Sequence, residues 1–202
     1  METKSKPVRA FIAIELPPAI VAEVEKIQDS LRSALPAGVL RWARPGSMHL
    51  TLKFLGNIAA QDVADVAAAM RRAGEGSTPF RLELNKLGCF PHSRQPRVVW
   101  VGVDGELEKL HLLQSRIESE VQPWVERPED KPFRPHLTLA RVATQDRRAA
   151  SAVGAAVEVA RPGVLGCWTV TRVVLMQSEL AAHGSTYTQL AVAELAVELG
   201  AR

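Results

Sequence analysis

Two of the chain's five histidines stand in identical tetrapeptides, His49-Leu50-Thr51-Leu52 and His136-Leu137-Thr138-Leu139, 87 positions apart. Imidazole titrates near neutrality, so a pair of histidines can work in opposite protonation states, one ring accepting a proton while the other donates one. A threonine two positions on supplies a hydroxyl that can donate to a phosphoryl oxygen. A single His-x-Thr is ordinary on a wet strand, because threonine favours strands. In a chain of this composition, two of five histidines would carry that threonine by chance in about 2% of cases, before the matching leucines are required. Repetition is the signal.

Side chains alternate along a strand, so His49 and Thr51 share one face while Leu50 and Leu52 mark the core, and the second motif repeats the arrangement. Arg141, five residues after His136 in "HLTLAR", offers a planar charge matched to phosphate. Its odd offset places it on the far face unless the strand ends or bulges near Ala140. Lys53, four residues after His49, falls on the histidine's face by simple alternation, as a phosphate contact or a solvated end. Zinc wants a third ligand, and none stands in register with either motif, so no metal or other cofactor is expected.

These groups need a framework. Hydrophobic residues make up 47% of the 202 and charged residues 23%, a globular balance that excludes disorder. The apolar runs "AFIAI" and "RVVWVGV" are strand-sized, far short of a membrane span, and the N-terminus lacks the longer apolar segment of a secretory signal. A cytoplasmic location is expected, with Cys89 and Cys167 as buried thiols. A net charge of +3 suits a local anion site and not a long polyanion track.

Strands and helices alternate. Strands are expected at "VRAFIAIEL", "VLRWARP", "MHLTLKFLG", "FRLELNKLG", "RVVWVGV", "FRPHLTLARV", "WTVTRVVLMQSEL" and "TYTQLAVAEL". Helical spacing of apolar residues marks 19–35, a second helix ending at Gly74, 105–122 and 146–160. This mixture argues for an α+β fold with helices on one face of each sheet. The tetrads "LGCF" (87–90) and "LGCW" (165–168), each following an HLTL strand and a helix, hint at a duplicated unit.

The segments "FIAIELP", "RWARPGSMHLTLKFLG", "PRVVWVGV", "FRPHLTLAR" and "SELAAHGSTY" resemble, in order, those of the bacterial RNA 2',3'-cyclic phosphodiesterases, also called 2'-5' RNA ligases, of the 2H phosphoesterase superfamily. Gly46 departs from the glutamate often found there in relatives, which touches the turn before the motif and no catalytic position. The resemblance implies a bilobal fold over 7–194, with 1–6 and 195–202 as tails. Each of its two pseudo-symmetric lobes would be an antiparallel sheet backed by helices, with the HxTx strands facing across a central groove. It also implies metal-independent opening of RNA 2',3'-cyclic phosphate ends to 2'-phosphates, by a monomer. The same path with an RNA 5'-hydroxyl replacing water would give ATP-independent 2'-5' ligation. His49 takes the family's proton-donor place and His136 the acceptor place; Thr51, Thr138 and Arg141 fall on its phosphate-holding positions.

Four further residues are candidates for RNA contact: Phe11 as a stacking ring or core, Trp42 as groove wall or core, Arg134 by alternation from His136, and Tyr187 near the groove or in packing. His92, His111 and His183 lack the threonine partner and are expected in solvent. A non-catalytic nucleotide sensor and a phosphodiesterase for small cyclic nucleotides are the rival readings.

Overall fold

The computed structural model describes residues 6–125, 127, 131–160, 162–181 and 184–196. Along the chain lie β1 (Val8–Glu15), α1 (Pro18–Ala34), β2 (Leu40–Trp42), β3 (His49–Ile58), α2 (Val63–Glu75), β4 (Phe80–Phe90), β5 (Val98–Gly105), α3 (Leu107–Val121), β6 (His136–Val142), α4 (Arg147–Val159), β7 (Gly166–Val170), β8 (Arg172–Ala181) and β9 (Gly184–Glu194). Pro18 opens α1, where a missing N–H leaves nothing unsatisfied. The Asp146 carboxylate caps α4 by accepting from the Arg148 N–H.

The strands form two antiparallel sheets, ordered β3-β1-β8-β9 and β2-β6-β5-β4-β7. Each HLTL strand is followed in this order by the strand that precedes its helix, so the lobes match with β2 as an addition. The helices cross over. α1 leaves the first sheet and packs on β7 and α4 of the second lobe, while α3 leaves the second sheet and packs on β3 and α2 of the first. Ile20, Val24 and Leu31 on α1 and Leu110, Leu113, Ile117 and Val121 on α3 are all buried in one continuous core shared by both sheets. At about 1.5–3 kcal/mol per buried aliphatic side chain, these stripes hold the lobes together more firmly than any surface ion pair could.

Several expectations change. The segment 168–180 is not one strand: its alternation breaks at Thr171, so Trp168 and Val170 serve the second sheet while β8 joins the first. The "LGCF" tetrad lies in β4 and "LGCW" at the start of β7, neighbours in one sheet, and so they cannot be equivalents in a duplication that exchanges the sheets. Gly74 does not end α2, which runs to Glu75 and is capped at Gly76; a Cβ at Gly74 would stand 3.3 Å from the Glu194 carbonyl oxygen, so close packing explains this glycine. The packed chain also reaches past 194, since Leu195 is buried and the Ala196 N–H donates to the Ser77 carbonyl. Cys89 is buried as expected, but Cys167 is exposed. Among the described residues no helix is long and apolar enough to cross a membrane.

Candidate active site

The two HLTL strands meet: β3 and β6 pack against each other, the first at the edge of its sheet and the second between β2 and β5. In β3 the register runs Glu15↔His49, Ala13↔Thr51, then Ile12↔Lys53, skipping Leu52. In β6 it runs Gly102↔His136, Trp100↔Thr138, then Val99↔Ala140, skipping Leu139. Both strands therefore bulge at the fourth residue of the motif. One extra residue sends the side chain that follows it to the other face. Leu52 with Lys53 and Leu139 with Ala140 turn inward as buried pairs, and the residue five after each histidine emerges on the His-Thr face. Arg141 is thereby delivered to the groove face. Its counterpart in β3 is Phe54, 54% exposed, while Lys53, 5% exposed, turns contrary to simple alternation towards Glu118 of α3, with which it borders the cavity that holds Thr51 and His136.

Each bulge is braced by the crossing helix. Gln28 of α1, buried, donates through Nε2 to the carbonyls of Ala43 and Leu139, 2.9 Å each, and Leu139 is the skipped residue. Under β3, Lys53 Nζ bonds Glu118 Oε1 of α3 at 2.5 Å, and Gln114 Nε2 donates to Glu118 Oε2 at 2.9 Å. Val24, Gln28 and Leu31 on α1 recur as Leu110, Gln114 and Ile117 on α3 at the same spacing. Lys53 holds the Glu118 carboxyl below its usual range, with Gln114 adding to the effect.

The histidines share an orienting bond. His136 Nδ1 lies 2.7 Å from the Arg134 carbonyl oxygen, two residues back, and His49 bonds the Ser47 backbone at the same offset. A carbonyl only accepts, so Nδ1 of His136 carries the proton and Nε2 of the neutral ring keeps its lone pair. The surroundings differ. His49 stacks on Phe11 at 4.6 Å and meets the edge of Tyr187 at 5.1 Å; burial pushes its pKa from 6.5 down to about 4, opposed in part by the Ser47 bond. His136 meets Phe90 edge-on at 4.9 Å.

Phe11 is 2% exposed, covered by His49 and Tyr187, so it supports the imidazole and is not open to a nucleobase. Tyr187 stands beside His49, where it lines a cavity of about 410 Å³ with Ser47, His49 and Met176. Trp42 pairs with buried Ala140, turns to the helix side and lies under the Arg32 guanidinium at 4.9 Å, which removes it from the groove. Arg134 precedes β6, so alternation does not apply to it; its carbonyl orients His136, and its exposed side chain borders the larger cavity. That cavity, about 660 Å³, includes Thr51, Phe54, Phe90, Arg97, Phe133 and His136 in its wall. Sequence reasoning missed Phe54, Phe90, Trp100 and Gln28. Only Phe54 had a signal, the five-residue offset it shares with Arg141. Trp100, paired with Thr138, rests flat on Gly88, where a Cβ would lie 2.2 Å from its ring. His92 and His111 are exposed, and His183 lies outside the described residues. Among the described residues no three His, Cys, Asp or Glu side chains cluster as a metal site would require.

Two antiparallel sheets meeting at paired His-x-Thr strands form the architecture of a 2H phosphoesterase. The chain belongs to the 2'-5' RNA ligase superfamily, which it matches over residues 16–181. The RNA 2',3'-cyclic phosphodiesterase of Methanothermobacter thermautotrophicus is 33% identical over 93% of this chain and 99% of its own length. The Escherichia coli protein of the same name is 30% identical over 92% and 96%. Among crystal structures, TT0787 of Thermus thermophilus superposes with a TM-score of 0.77 at 30% identity, over 94% of this chain and 99% of that one. E. coli LigT complexed with 3'-AMP gives 0.73 at 26% identity, over 94% and 99%.

Proposed function

We propose that this protein is a cytoplasmic, metal-independent RNA 2',3'-cyclic phosphodiesterase that leaves 2'-phosphate ends, with His49, His136, Thr51, Thr138 and Arg141 as its reacting set. The observation that carries the reading is the shared bulge, which puts His, Thr and an emergent fifth residue on one face of each of two abutting strands. Neutral His136 takes a proton from the attacking water through Nε2. The P–O3' bond breaks as protonated His49 gives its proton to the leaving 3'-oxygen. Thr51, Thr138 and Arg141 donate to the non-bridging oxygens as charge builds on them. Phe54, Phe90 and Phe133 offer ring faces for the terminal base. With an RNA 5'-hydroxyl in place of water as the nucleophile, the same path forms a 2'-5' linkage as the P–O3' bond breaks, so no ATP is needed.

Burial leaves His49 neutral at pH 7 in the free protein, so its donor role depends on the bound phosphate anion favouring the charged ring. The same observation favours a second reading with the roles exchanged, His49 as acceptor and His136 as donor. A cyclic substrate with sulfur at the 3'-bridging position separates them, because a thiolate leaves without protonation. His49→Ala should lose far less activity on this substrate than on the oxygen parent if His49 is the donor; the reverse pattern assigns that role to His136. Turnover in EDTA, with a 2'-phosphate product, tests the overall reading.

A further inference from the structure

On the outer side of β6, the added strand β2 has no counterpart in the other sheet. It sets Arg41 directly opposite Arg141, with Leu40↔Val142 and Trp42↔Ala140 on either side. Directly opposed residues of an antiparallel pair project to one face with Cβ atoms about 5 Å apart, and like charges so placed repel. Leu40 and Trp42 turn to the core, so Arg41 stands with Arg141 on the face that carries His136 and Thr138. Both arginines are exposed, and neither guanidinium has a hydrogen-bond or ion-pair partner among the described residues. Two guanidinium groups held side by side, without a carboxylate between them, are arranged for an anion shared by both.

We infer that Arg41, together with Arg141, forms a subsite for the phosphodiester that precedes the RNA's terminal nucleotide, making Arg41 a determinant of preference for RNA over mononucleotides. This rests on the cyclic phosphodiesterase reading. Arg141 lies between the two phosphates: Thr138 and His136 follow it inward along β6 towards the reacting phosphorus, and Arg41 lies outward on the sheet edge. The other lobe has nothing comparable among the described residues, since β3 is itself the edge and Phe54 occupies the matching place. The incoming chain is therefore directed over the second sheet.

The test compares a dinucleotide ending in a 2',3'-cyclic phosphate with the same dinucleotide carrying a neutral methylphosphonate linkage, on the wild type and Arg41→Gln. The methylphosphonate in the wild type and Arg41→Gln on the diester should each raise KM about five- to tenfold with little change in kcat, and the salt dependence of KM should weaken by about one phosphate contact. Combined, the two changes should cost no more than the methylphosphonate alone, because a neutral linkage already leaves Arg41 nothing to hold. An equal loss on both linkages in Arg41→Gln, or no loss on either, overturns the subsite while leaving the enzyme reading intact. No turnover by the wild type of either dinucleotide, or of a nucleoside 2',3'-cyclic phosphate, overturns the enzyme reading and the subsite with it.

Discussion

The half-sites at β3 and β6 begin as the same four letters and diverge only after the bulge. In β6 the emergent residue is Arg141, flanked by Arg41 on an added strand; in β3 it is Phe54, at a bare sheet edge above the ring of Phe11, with 5.9 Å between centroids. The bracing differs as well, a neutral Gln28 amide under β6 and a charged Lys53–Glu118 pair under β3. One backbone device thus serves a cationic half that suits phosphate and an aromatic half that suits a base. In the proposed mechanism, symmetry supplies the matched acid and base, and departure from symmetry the orientation of the substrate.

The largest effect should come from what the halves share. His49→Ala or His136→Ala should each lower kcat on a cyclic-phosphate oligonucleotide by about 10²–10⁴-fold, and the double variant should fall little further, because the pair acts as a unit. A folded single variant with wild-type turnover would remove the two-histidine mechanism. At the divergent fifth position, Arg141→Ala should cost about 10²–10³-fold, mainly in kcat, as loss of a charge-stabilising donor. Phe54→Ala should cost about 1–3 kcal/mol of binding, mainly in KM, as loss of a stacking face. Equal kcat and KM effects at the two positions would show that the halves do not divide the labour in this way.

The buried half should also show itself in the pH dependence of stability. His49 is held near 4 in the folded protein against 6.5 when exposed, so the unfolded chain binds its proton first as pH falls. The stability contributed by its neutral ring is full above 6.5 and drains away as pH falls towards 4, by about 3 kcal/mol. Urea unfolding at pH 7 and pH 4 should show this slope in the wild type and a shallower one in His49→Gln; identical slopes would count against a desolvated His49. The smallest effect tests the brace. Gln28→Met should destabilise by about 1–3 kcal/mol through the lost amide donors and lower kcat several-fold. That kcat loss should vanish when Arg141 is already alanine, since the brace acts through the bulge that presents Arg141.

Much of the fold was legible because its signals are local. Period-2 and period-3.6 patterns located the strands and helices, and Pro18 and Asp146 mark helix starts by their own chemistry. The place of Lys53 and the break in the segment 168–180 escape the sequence for one reason, and Trp42 stays open between groove wall and core for the same one: alternation counts residues within a strand and cannot see where a strand skips one or where a chain changes sheets. Phe11, open in the sequence between stacking ring and core, is decided as core by partners from β3 and β9, far along the chain.

From its letters alone, the chain specified two equivalent polar pairs, His49 with Thr51 and His136 with Thr138, each backed by leucines, because side-chain alternation is a property of the strand itself. Only the tertiary structure decided which residues join them. The bulges at Leu52 and Leu139 arise from pairing with β1 and β5 and are held by helices crossing from the opposite lobe. Register is a relation between segments distant in sequence, so the face on which Arg141, Phe54 and Arg41 emerge is settled only when those segments pack.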